Sequence, residues 1–222
     1  MTTLPVGRHG DLPARCRVGE MGSMSSADRK LTSSAGEHHV CSMLARHGWA
    51  ASLTRDGLAR TDVLAVHTKS RAMIEVQAKT TLDSSSWPLG AKGTLAAETG
   101  REWFVLVRLG GPPTAPESFV VPRDHVAAAT WIAHMAWLTD PDAPAGKRNA
   151  GIESARVGSS EFEGYRDAWG LLTDHEDART CPVMLPAWMC DPEVLDRTGL
   201  PDGHPWHDGL PPDWPGDGNA TE

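Results

Sequence analysis

Cysteine is scarce in this sequence. The 222-residue chain has four, Cys16, Cys41, Cys181 and Cys190, and no two of them form a CxxC pair. So few, so widely scattered, they exclude a disulfide scaffold. A zinc reading of Cys181, Cys190, His204 and His207 fails on its first spacing, eight intervening residues instead of two to four. Long apolar runs are missing as well. The longest stretch, 125–138, is short and interrupted by His125 and His134, so it does not suit a membrane span. Residues 1–30 have no apolar h-region of the secretory kind, and the expectation is a soluble, cytoplasmic protein. Nor is there an excess of positive charge. Against 29 Asp and Glu stand 21 Lys and Arg, a formal net charge of -8, which excludes a protein that coats nucleic acid by charge alone. HExxH and GxSxG are absent, and Gly146-Lys147 lacks the upstream glycine of a phosphate loop.

What is present is enough for one ordinary domain with appendages: 40% of the residues are hydrophobic. The charge is unevenly spread. Residues 1–30 carry a net +2, residues 31–139 carry 10 basic and 9 acidic groups, and residues 140–222 carry 6 basic and 17 acidic groups. The acidity therefore belongs to the C-terminal third. Residues 1–30 mix Gly, Pro, Arg and Ser without periodicity and read as disordered, residues 31–175 as the domain, and 176–222 as a Pro/Gly/Asp-rich acidic tail. Within that tail the Pro-Asp-Gly, Pro-Pro-Asp and Pro-Gly-Asp steps of 199–222 argue against a helix or a central strand. Trp206 and Trp214 are unusual for a solvating tail; local clustering and docking onto the domain or a partner both stay open.

Ser34-Ala-Gly-Glu37 fits a capping box, with apolar Val40, Cys41, Leu44 and Ala45 following at helical spacing and Gly48 as the stop, which predicts a helix over 35–47. Residues 49–53 read as a short strand, 62–66 and 72–80 as a hairpin about 67–71, and 81–102 as a long irregular excursion. Strands at 103–109 and 118–121 follow. Pro122 precedes a helix over 123–138, and Tyr165, Trp169 and Leu172 suggest one last helix with a single apolar face. Trp103, Trp131, Trp137 and Trp169 read as core residues, and His38-His39 as a partly exposed pair. The order predicts an α/β or α+β domain.

One strand carries an anomaly. Glu75, Gln77 and Lys79 alternate with Ile74, Val76 and Ala78, so the two-residue period puts three polar groups on one face. Polar groups on an otherwise apolar strand call for partners or a purpose. Asp62 opens the preceding strand, and hairpin pairing brings its carboxylate towards the same patch. An acid, a second oxygen ligand and a lysine at strand ends suit a hard cation such as Mg²⁺ and phosphate chemistry.

This arrangement resembles the PD-(D/E)xK phosphodiesterase superfamily, whose pattern is a leading helix with a Glu, an Asp at one strand start and (D/E/Q)-x-K on the next. The chain offers Glu37, Asp62 and Gln77-Ala78-Lys79 in that order. The likeness covers about residues 33–121, and the Q-x-K form is similar to restriction enzymes directed at modified DNA and to small bacterial members. Residues 103–109, 119–122 and 165–169 resemble those small members too. The resemblance implies an α/β, restriction-endonuclease-like core: a mixed central β-sheet flanked by helices, with disordered terminal segments. It implies a Mg²⁺- or Mn²⁺-dependent endonuclease acting on nucleic acid, DNA ahead of RNA, with a homodimer by analogy. By the same likeness Asp62 is the principal metal ligand, Gln77 takes the second ligand position, Lys79 is the catalytic lysine and Glu37 assists from the helix. Gln77 departs from the carboxylate usual there, and Glu75, two residues earlier on the same face, is a candidate to supply the missing charge.

Each residue also has a purely structural reading. Glu37 suits a helix cap, Asp62 a turn cap after Arg60-Thr61, and Glu75 with Lys79 a solvated ion pair. A nuclease-fold module that binds nucleic acid or protein without chemistry is the alternative function.

Overall fold

Continuous apolar runs at 63–66 and 103–107, and period-two alternation over 74–78, mark strands that assemble into one sheet. The computed structural model describes residues 26–54, 58–144, 146, 148–212 and 214. Helix α1 (Ser26–Arg46) leads into β1 (Trp49–Leu53), β2 (Val63–His67) and β3 (Met73–Thr81). These three strands are antiparallel, and β2–β3 form the expected hairpin, with Arg71 at φ 65 in its turn. The excursion that follows holds β4 (Ser86–Pro88) and a single helical turn, α2 (Gly90–Gly93). Strand β5 (Glu102–Arg108) then joins β3 in parallel, and β6 (Glu117–Pro122) pairs antiparallel with β5. The result is a mixed five-stranded sheet in the order β1-β2-β3-β5-β6 within an α/β fold. Helix α3 (Arg123–Leu138) follows β6 directly, and β7 (Arg156–Gly158) returns to pair with β4 as a two-stranded sheet. Short helices α4 (Leu171–Asp174) and α5 (Pro192–Thr198) complete the regular elements. Among the described residues no helix is long and apolar enough to cross a membrane.

The two faces of the sheet bury separate cores. On one, Val40 and Leu44 of α1 pack with Val63, Ile74, Val76, Trp103 and Val105. The approach is close because residue 36 has no side chain: a Cβ at Gly36 would fall 1.8 Å from Thr80 Oγ1. Gly36→Ala should therefore destabilise the fold by about 1–3 kcal/mol, the usual cost of overpacking. Urea unfolding measures this, and a change below about 0.5 kcal/mol would mean that the helix moves away without cost.

On the other face, Phe104, Leu106, Phe119 and Val121 meet Val126, Ala129 and Ile132 of α3. His125 is fully buried here, with Nδ1 2.7 Å from Tyr165 Oη, and burial pushes its pKa down to about 3. The unfolded imidazole titrates near 6.5. Between the two values the unfolded chain holds the extra proton, so stability falls as pH drops below about 6.5. At pH 5 this one group should cost about 2 kcal/mol. His39 and His204, both lowered chiefly by burial, act in the same direction. Unfolding free energies at pH 8 and pH 5 test this, and His125→Phe should flatten the slope between them.

Several expectations need correction. Helix α1 is already under way from Ser26, so Ser34 and Glu37 lie inside it and form no capping box. Residues 26–34 contain neither Gly nor Pro and continue the helix; His38 Nδ1 instead contacts Ser34 O at 2.8 Å. Residues 1–25 of the segment read as disordered lie outside the described residues, while Ser26–Lys30 are helical. No single helix spans 165–172. Asp167 has φ 50, and Tyr165 faces one core while Trp169 and Leu172 face the other. Trp137 is exposed, with the Arg148 guanidinium 5.5 Å from its ring centroid, although Trp103 and Trp169 are core residues. The presumed tail is part of the domain. Val183, Leu185, Met189, Trp206 and Trp214 are buried in the α3-side core, with a 3₁₀ turn at Pro205–His207.

Candidate active site

Asp62 stands at the point where β2 leaves its ladder with β3. The last regular pair is Val63↔Val76, and Asp62 lies just past it, still bonded to Val76 instead of stepping on to Gln77. Three bonds fix it there. Its N–H donates to Val76 O, its carbonyl accepts from Thr54 N, both at 2.9 Å, and carboxylate Oδ2 accepts from Ala78 N at 2.8 Å. The side chain thus takes a strand amide that a ladder carbonyl would otherwise satisfy. Oδ1 accepts no hydrogen bond from the described residues.

Gln77 and Lys79 follow on the same face of β3, in register with Phe104 and Leu106 of β5. Lys79 is half-buried and forms no ion pair among the described residues. Glu75 lies on this face as well, its carboxylate 3.4 Å from Thr61 Oγ1 and 3.7 Å from an Arg101 nitrogen. It forms no ion pair with Lys79. Leu64 and Met73, on the same face, remain exposed while α3 covers β5 and β6, so the site opens to solvent on the β2 side. Glu37 belongs elsewhere in the layering: it projects from α1, which packs on the opposite face of β3 against Ile74, Val76 and Ala78.

Behind Gln77 lies a buried polar network that sequence reading missed. Arg123, only 1% exposed, donates from Nη2 to Gln77 Oε1 at 2.8 Å and to Arg60 O at 3.1 Å. Its Nε lies 2.8 Å from Glu102 Oε2, out of line for a hydrogen bond, and its guanidinium stacks 4.6 Å over the Phe104 ring. Glu102 also meets Arg60 at 3.0 Å and accepts the amides of Glu98 and Thr99. Burial, with the Arg60 charge adding to it, pushes Arg123 down to about 10 against the opposing pull of Glu102. It still carries its proton at neutral pH. Two local signals mark this network in hindsight. Arginine in the first turn has the wrong sign for the helix dipole, and Glu102 opens a strand that is otherwise apolar.

Whether these residues suit a divalent cation depends on which oxygens are uncommitted. Asp62 fits, with one carboxylate oxygen anchored and the other unclaimed, and Glu75 adds a second carboxylate beside Thr61. Magnesium typically takes only one or two protein carboxylates and keeps several waters. Gln77 fits poorly, because its oxygen is engaged by a buried cation. Among the described residues no group of three or more His, Cys, Asp and Glu is gathered around a common point. No protein-family model, curated protein or solved structure matches the chain.

Proposed function

We propose that this chain is a nuclease of restriction-endonuclease-like fold, hydrolysing nucleic-acid phosphodiester bonds, DNA before RNA, with Mg²⁺ or Mn²⁺. The observation that carries the reading is the position of Asp62: at the end of the β2–β3 ladder, with its carboxylate anchored on the Ala78 amide between Gln77 and Lys79 of β3. Bound there, the cation would supply a water of lowered pKa and neutralise phosphate charge. Asp62 would hold it, with Glu75 as the second carboxylate. Lys79, free of a competing anion among the described residues, would stabilise negative charge developing on the phosphate oxygens.

The experiment is cleavage of plasmid, single-stranded DNA and RNA by the full chain with Mg²⁺ or Mn²⁺. Cutting should require the cation and be lost in Asp62→Ala and Lys79→Ala. Cleavage that persists unchanged in both variants defeats the assignment.

A second reading, a module of the same fold that binds nucleic acid or a protein partner without cutting, is favoured by the Gln77–Arg123 bond. It places a buried cation beside the position where a second metal ligand would act. That reading predicts no divalent-cation binding at Asp62 and partner affinity indifferent to Asp62→Ala.

A further inference from the structure

A guanidinium has five N–H donors and no acceptor. The Gln77 atom 2.8 Å from Arg123 Nη2 must therefore be the amide oxygen, and Nε2 is turned away from Arg123. The partner thus settles an orientation that is ambiguous in most glutamines. Nε2 has no acceptor among the described residues. Gln77 is only 6% exposed, but Nε2 is not among the fully buried unpartnered atoms, which include Arg123 Nη1, so it keeps a narrow opening to solvent. Gln77 thereby offers donors, beside the carboxylate of Asp62 and the ammonium of Lys79.

A cation ligand has the opposite requirement: an oxygen lone pair. The second lone pair of Gln77 Oε1 would hold a divalent cation within a few ångströms of a buried guanidinium, and like charges repel strongly where water is scarce. Arg123 cannot readily withdraw. Glu102, the Arg60 carbonyl and the Phe104 ring hold it in place.

We propose that Gln77 serves the site as an N–H donor to a phosphodiester oxygen and not as a metal ligand, with Arg123 the positioning residue that fixes this orientation. The proposal rests on reading the site as directed at nucleic-acid phosphates, but not on hydrolysis.

The test measures binding of labelled duplex and single-stranded DNA in EDTA alongside calorimetric Mn²⁺ titration. Gln77→Ala should weaken DNA binding about tenfold in EDTA, the effect of losing a hydrogen bond to a charged group. Its Mn²⁺ affinity should stay within about twofold. Gln77→Glu preserves an oxygen for Arg123 and should fold normally, yet bind DNA more weakly even in saturating Mn²⁺. Arg123→Met, assayed on folded protein, should lose DNA affinity in EDTA and gain Mn²⁺ affinity as the amide oxygen is released; a merely structural role would lower both. The proposal is overturned if Gln77→Ala loses Mn²⁺ affinity with DNA binding unchanged, if Gln77→Glu binds DNA in Mn²⁺ at least as tightly as wild type, or if wild type has no DNA affinity in EDTA. A chain that binds but never cuts DNA would remove the hydrolytic reading and leave the donor assignment intact.

Discussion

Arg123→Met is expected to lower the unfolding free energy by about 3–5 kcal/mol, the usual cost of removing one member of a buried ion pair. The hydrophobic area is largely preserved in this variant, so the loss is electrostatic in origin. Glu102, 5% exposed, keeps Arg60 and two backbone amides but loses its most buried counter-charge. Gln77 Oε1 loses its only donor among the described residues, and the Arg60 carbonyl also loses the Arg123 bond. For a chain of this length the change corresponds to a melting shift of about 6–20 °C. Urea unfolding would measure it directly. A cost under about 1 kcal/mol would mean that the network repacks, and that Arg123 does not hold Gln77 in place.

Asp62→Ala should carry the largest catalytic effect, a fall in cleavage of about a thousandfold or more. Removing the anchor carboxylate forfeits several kcal/mol of charge stabilisation from the cation, and each factor of ten corresponds to about 1.4 kcal/mol. The fold should tolerate the change better than it tolerates Arg123→Met. Asp62 is only half-buried, and the backbone bonds to Val76 and Thr54 survive the substitution. The exposed amide of Ala78 should cost about 1 kcal/mol. Activity lost with stability nearly intact separates a chemical role for Asp62 from a turn-capping one. Loss of both in proportion would favour the cap.

Much of the sheet was legible because its signals are local. A short apolar run at 63–66 and apolar alternation over 74–78 mark a hairpin, and that hairpin alone brings Asp62 up to the strand that carries Gln77. The parts that misled depend on distant partners. Ser34 and Glu37 match a capping box in isolation, but helical residues upstream carry α1 back to Ser26. Trp206 and Trp214 sit among residues that read as tail, yet they pack in the α3-side core, and His204 reaches the Asp124 carbonyl at 2.9 Å. Gln77 stands out in the sequence as a polar residue on an otherwise apolar strand, β3. Its engagement by Arg123, 46 residues away, has no local signature. The same limit applies to Glu37: a motif order that places it first says nothing of which face of the sheet its helix covers.

Asp62 is proposed to anchor a divalent cation beside Lys79. The most direct test is calorimetric titration of Mn²⁺ into the purified full chain and into Asp62→Ala. Saturable binding is expected in wild type and should disappear in the variant. Equal binding in both proteins, or none in either, would contradict it.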